Sequence, residues 1–157
     1  MELKSKTING GKMATDRKYL GTKTAPYVGE VEKGQLRFFA EVTGQQNPIY
    51  FDEAAARAAG YPGLLAPPTF IFGFTFYSPR SLADLGVDMT RVLHAEQAFR
   101  HYAPIFAGDL ITMIGEITAI YEKKSGALEF IVECISATNQ AGLLCAELEV
   151  TTVITHG

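Results

Sequence analysis

The spacing of apolar side chains changes twice along this chain, and the changes mark out its elements. Residues 1–17 are polar, Gly-containing and basic; they show no period and predict a disordered tail ahead of one domain spanning 18–157. Residues 27–31 read as a short strand. From Glu32 the period lengthens. Leu36, Phe39, Ala40 and Thr43 recur at i, i+3, i+4 and i+7, which is one face of a helix, and Gly44 stops it. A second helix opens at Asp52, whose carboxylate is suited to capping free N–H groups, runs through an Ala-rich body and ends at Gly60. Between the two helices lies a polar connection, 44–51, with Pro48 inside it. Pro67 and Pro68 then precede the aromatic run Phe70, Ile71, Phe72, Phe74 and Phe76. Proline is tolerated at a helix's first positions, and a run apolar nearly all round predicts a fully enclosed helix. A short buried strand is the competing reading of that run.

From residue 93 onward the pattern is strand-like, with segments at 93–102, 110–121, 127–136 and 144–154. Ala107-Gly108-Asp109 and Asn139-Gln140-Ala141-Gly142 read as turns. In the third segment Leu128, Phe130, Val132 and Cys134 share one face, and Glu129 and Glu133 the other. In the last, Leu144, Ala146, Leu148, Val150 and Ile154 are expected inward, with Glu147 and Glu149 outward. One early strand, then helices, then long consecutive strands predict an α+β domain: a long antiparallel meander wrapped round a central buried helix.

Composition narrows the function. A length of 157 residues fits one domain, and 47% hydrophobic with 20% charged residues is a globular balance. Fourteen Lys+Arg against seventeen Asp+Glu leaves a net charge of −3, so no basic excess points to nucleic acid. Cys134 and Cys145 are read as reduced core thiols of a cytoplasmic protein. No apolar export segment occurs in the first eighteen residues, and the near-apolar stretch 64–77 is shorter than the roughly 20 residues a membrane helix needs. Nucleophile-elbow, phosphate-loop, dinucleotide and zinc motifs are all missing, and His94, His101 and His156 lie far apart, so no metal is expected.

The segments FFAEVTGQQNPIYFDEAAARAAGYPGLLAPPTF (38–70) and VLHAEQAFRHYAPIFAGDLIT (92–112) resemble the MaoC-like dehydratase and (R)-specific hydratase group of hot-dog proteins, in particular its N-terminal-type domain. The resemblance covers roughly residues 18–155. It implies a single hot-dog fold and reversible removal of water from a 3-hydroxyacyl thioester. In active members the polar connection carries Asp-x-Asn-Pro-(Ile/Leu)-His, with Asp and His as acid–base groups and a helix-start Gly amide binding the thioester carbonyl. This chain keeps Asn47, Pro48 and Ile49. Gln45 stands in place of the Asp, Tyr50 in place of the His, and Pro68 in place of the Gly. A carboxamide carries no useful proton, a phenol ionises only near pH ~10, and proline has no N–H.

Degenerate copies of this domain occur in the family beside active ones. The resemblance therefore implies a homodimer, or a heterodimer with a catalytic hot-dog subunit, in which this chain accommodates the acyl chain or works through Gln45, Asn47, Tyr50 and His94. Ala66, Pro67, Pro68, Thr69, Phe70 and Phe74 are the implied substrate-contact residues. No cofactor is implied beyond the CoA or phosphopantetheine of an acyl-thioester substrate, and neither nucleic acid nor membrane is an expected partner. Each residue also has a plainer reading: Asn47 as a turn cap, Tyr50 as a packed aromatic, Gln45 as a loop residue, His94 as a strand histidine paired with a carboxylate, and the Phe run as core. A non-enzymatic acyl-CoA-binding module is an alternative. A hot-dog thioesterase is another, weakened because no Asp or Glu occurs between Glu53 and Asp84.

Overall fold

The computed structural model describes residues 15–156. Five strands form one antiparallel sheet: β1 (Tyr27–Glu30), β2 (Val92–His101), β3 (Leu110–Lys123), β4 (Leu128–Thr138) and β5 (Leu144–Thr155), in the order β1-β3-β4-β5-β2. The helices α1 (Lys33–Val42) and α2 (Glu53–Ala58) and a central 3-10 helix (Phe70–Tyr77) lie between β1 and β2 in the chain. The expected α+β hot-dog architecture is therefore present. The meander holds for β3, β4 and β5, whereas β2 crosses to the far edge and pairs with β5.

Local sequence explains the elements. In α1, Leu36 and Ala40 are fully buried, and the helix closes in a Schellman motif: Gln45 N–H donates to Ala40 O at 2.8 Å and Gly44 N–H to Glu41 O at 3.0 Å. Gly44 takes φ +73°, which a Cβ would disfavour. In α2 the Asp52 carboxylate accepts from Ala54 N–H at 2.9 Å. A Lys33–Glu53 ion pair ties the two helices together. Gly108, at φ +90°, turns the chain into β3, and Asp109 accepts from Phe106 N–H at 2.8 Å.

The aromatic run forms a helix and not a strand, but it is not enclosed. Phe70, Ile71 and Phe74 are buried, while Phe76 is 81% and Tyr77 62% exposed. Phe70 packs edge-on against Phe39 and Phe74, with ring centroids 5.6 Å apart in each case. The bonds are of i→i+3 type, Phe72 N–H to Thr69 O at 3.1 Å and Ser78 N–H to Thr75 O at 3.1 Å. That geometry leaves one side of the helix to the sheet and the other to solvent.

The concave face of the sheet can be read across the register. Phe99, Leu148, Ile135 and Gly115 form one layer, and Gln97, Val150, Glu133 and Ile117 the next. The expected alternation of β4 is present, but its concave face is the one with Glu129, Ile131, Glu133, Ile135 and Ala137. Cys134 consequently lies half-buried on the outer face, and only Cys145 is a core thiol. Burying carboxylates inward requires partners. Glu129, fully buried, meets His156 Nε2 at 3.0 Å and accepts from Thr15 N–H at 3.0 Å; Glu133 meets Arg80 Nη2 at 2.6 Å. Glu133 and Arg80 lie between two apolar clusters, one under the central helix and one around Leu85, Val87, Ile131 and Ile154, and Glu129 closes the far end of the second. The tail expected at 1–17 falls outside the described residues up to 14; Arg17–Tyr19 form a 3-10 turn capped by Asp16.

Candidate active site

The polar connection is shaped by its own backbone. After the α1 stop, Asn47 accepts from Ile49 N–H at 3.2 Å and so caps the 3-10 turn Pro48–Tyr50. Phe51 N–H and Asp52 N–H both return to Pro48 O, at 3.0 and 2.9 Å, and hand the chain to α2. Arg37 Nε donates to Phe51 O at 3.0 Å and pins the turn to α1. The outcome is a rigid pedestal that holds Tyr50 half-buried.

Beside this pedestal, residues 64–66 run along 105–107. Ala66 N–H donates to Ile105 O at 2.8 Å, Ala107 N–H to Leu64 O at 2.9 Å, and Leu65 bridges to Phe106. The segment fixes Pro67, which is buried, and Pro68, which is exposed, at the start of the central helix. A cleft of about 310 Å³ lies between the pedestal, this segment and the end of β2. Its walls are mainly apolar, and its ionisable side chains are Tyr50, His101 and Tyr102. Tyr102 is committed: its hydroxyl donates to Glu147 Oε2 at 2.5 Å, with Arg100 Nη1 on the same oxygen at 3.4 Å. His101 lies flat against Phe99, with centroids 6.0 Å apart and planes 5° apart.

Among the expected site residues, Tyr50, Ala66, Pro67 and Pro68 meet in this cleft. Gln45 lies in the loop after α1, and Asn47 spends its side-chain oxygen on the turn; neither lines the cleft. Thr69 is exposed at the helix entrance, and Phe70 and Phe74 are core. His94 sits at the other end of β2, edge-on to Phe72 at 5.6 Å, and does not line the cleft. The pairing register jumps between His94 and Glu96, so His94 shares its face with Gln97, Phe99 and His101 rather than with Glu96 and Ala98. His101 lies on the regular side of the bulge, where Gln97, Phe99 and His101 alternate on one face without interruption. The signal available was its place just before Ala103-Pro104, where the strand must end.

Chemically, the cleft offers an apolar slot with hydroxyl and imidazole groups at its rim and no carboxylate among its walls. Among the described residues no group of His, Cys, Asp and Glu is arranged to hold a metal ion, and no helix is long and apolar enough to cross a membrane.

Residues 18–148 match the family model described as FAS1-like, dehydratase domain region. A UPF0336 protein of Streptomyces coelicolor is 42% identical over 114 residues, covering 69% of this chain and 75% of its own length. A UPF0336 protein of Thermobifida fusca is 39% identical over 112 residues, covering 69% of this chain and 74% of its own. Among solved structures, a chain of the HadBC (3R-hydroxyacyl-ACP dehydratase) complex of Mycobacterium tuberculosis superposes with TM-score 0.77 at 28% identity, covering 89% of this chain and 98% of that one. A MaoC-like dehydratase gives TM-score 0.78 at 26% identity, covering 88% of this chain and 43% of that one. The chain belongs to the FAS1-like dehydratase-region family, a hot-dog family of MaoC-like dehydratases.

Proposed function

We propose that this chain is a subunit of an (R)-3-hydroxyacyl-thioester dehydratase, which in reverse is an enoyl-thioester hydratase. Its part is to bind and accommodate the acyl thioester, while a second hot-dog subunit supplies the Asp and His that move protons. The observation that carries this reading is the cleft itself: apolar, floored by the Pro67–Pro68 entrance, and without a carboxylate in its walls. Dehydration needs one group to take the α-proton and another to protonate the departing hydroxyl. Paired carboxylate and imidazole do this together; His101 here stacks on a phenylalanine instead. The similarity to a chain of a 3R-hydroxyacyl-ACP dehydratase complex supports both the substrate class and the paired subunit.

Calorimetric titration of the purified chain with a short and a long trans-2-enoyl-CoA tests the binding half of this proposal. The expected result is saturable binding, tighter for the longer chain, with no free thiol released. Absence of binding to either ligand overturns the proposal, and release of free CoA assigns the site to a thioesterase instead.

A further inference from the structure

An acyl thioester seated in this cleft needs a hydrogen-bond donor for its carbonyl oxygen, and the backbone has none left to give along the wall at 65–68. Leu65 N–H is taken by Ile49 O at 3.3 Å and Ala66 N–H by Ile105 O at 2.8 Å. Pro67 and Pro68 have no N–H. Across the cleft, Tyr102 N–H and Ala103 N–H both go to Cys145 O, at 2.8 and 3.2 Å. The Tyr102 hydroxyl is bound to Glu147. Among the described residues, two cleft-lining side chains carry donors with no hydrogen-bonding partner: the Tyr50 hydroxyl on the pedestal and the His101 imidazole at the end of β2. They stand on separate elements, the pedestal and the end of β2, and line the same cleft.

We infer that Tyr50 and His101 together form the carbonyl-binding site of this cleft, replacing with two side-chain donors the backbone amide that Pro68 cannot provide. The inference rests on the acyl-thioester reading above and adds to it which atoms read the ligand. A phenol O–H and a neutral imidazole N–H are each donors, so the site works without a charged group. Each hydrogen bond is worth on the order of 1 kcal/mol net, or about fivefold in affinity.

The test compares a medium-chain trans-2-enoyl-CoA with the matching trans-2-alkenyl-CoA thioether, in which a methylene replaces the carbonyl. Wild-type chain is expected to prefer the thioester by about tenfold or more. Tyr50→Phe and His101→Leu should each reduce that preference by roughly fivefold, through weaker thioester binding with thioether binding unchanged. His101→Gln keeps an N–H donor and should retain most of the preference. Thermal unfolding of each variant checks that the fold is intact. A preference that survives both Tyr50→Phe and His101→Leu overturns the inference alone. Failure of the wild-type chain to bind either ligand overturns the acyl-thioester reading and this inference with it.

Discussion

A Cβ placed on Gly29 would lie 2.8 Å from two carbons of the Phe74 ring. Phe74 is only 4% exposed and is held by Phe70, so it has nowhere to retreat. Gly29→Ala is therefore expected to cost about 1–3 kcal/mol, read as a lower midpoint in denaturant unfolding. A neighbouring side chain shows what the inward carboxylates do. Burial, and then the Glu133 charge, push the Tyr27 phenol from its ordinary 10.0 up to about 12, against the hydrogen bond from Ser78 and the charge of Arg80. A phenol harder to ionise in the folded state leaves stability untouched below pH 10.0 and erodes it as pH rises toward 12. Tyr27→Phe should remove that alkaline component, measured as the pH dependence of unfolding. At this scale the sequence was only partly legible. The motif position singles out Tyr50, which lines the cleft, but the inward turn of Glu129 and Glu133 runs against the usual expectation that charged side chains face water. Their partners, His156 and Arg80, lie far away in the chain and could not be read from alternation.

The elements were far more readable, because each is written in local chemistry. The periodic apolar face of α1, the Gly44 stop and the Asp52 cap each stand where their physical roles demand. The cap has a functional consequence. Asp52 N–H returns to Pro48 O, and its carboxylate starts α2, so the same residue secures both sides of the Tyr50 pedestal. Asp52→Ala is expected to cost about 1 kcal/mol of stability and to weaken enoyl-CoA binding through a looser Tyr50, measured by thermal unfolding and calorimetry together. What local pattern could not supply was the β2 bulge. One extra residue between His94 and Glu96 reassigns the face of the strand's first residues, turning His94 to the side of Gln97, Phe99 and His101, against Phe72. Likewise, an all-apolar helix signals burial, yet only the assembled sheet decides which side of the 3-10 helix it covers.

For the molecule as a whole, the sheet ends on one side at β2, an edge strand whose unpaired backbone groups lie near exposed Leu93 and Phe76. An open edge with apolar side chains beside it suits the addition of another sheet, which is where the proposed second hot-dog subunit would seat. The cleft lies at the end of this same strand, so a subunit added there would bring its own acid–base groups close to the bound thioester. The division of labour is tested most directly by the rate of hydration of trans-2-enoyl-CoA, measured for the purified chain alone and after mixing with a hot-dog subunit that bears the Asp and His. The account predicts no turnover by the chain alone and, on mixing, a rate well above that of the partner by itself. Turnover by the chain alone, lost in Tyr50→Phe or His101→Leu, would contradict it.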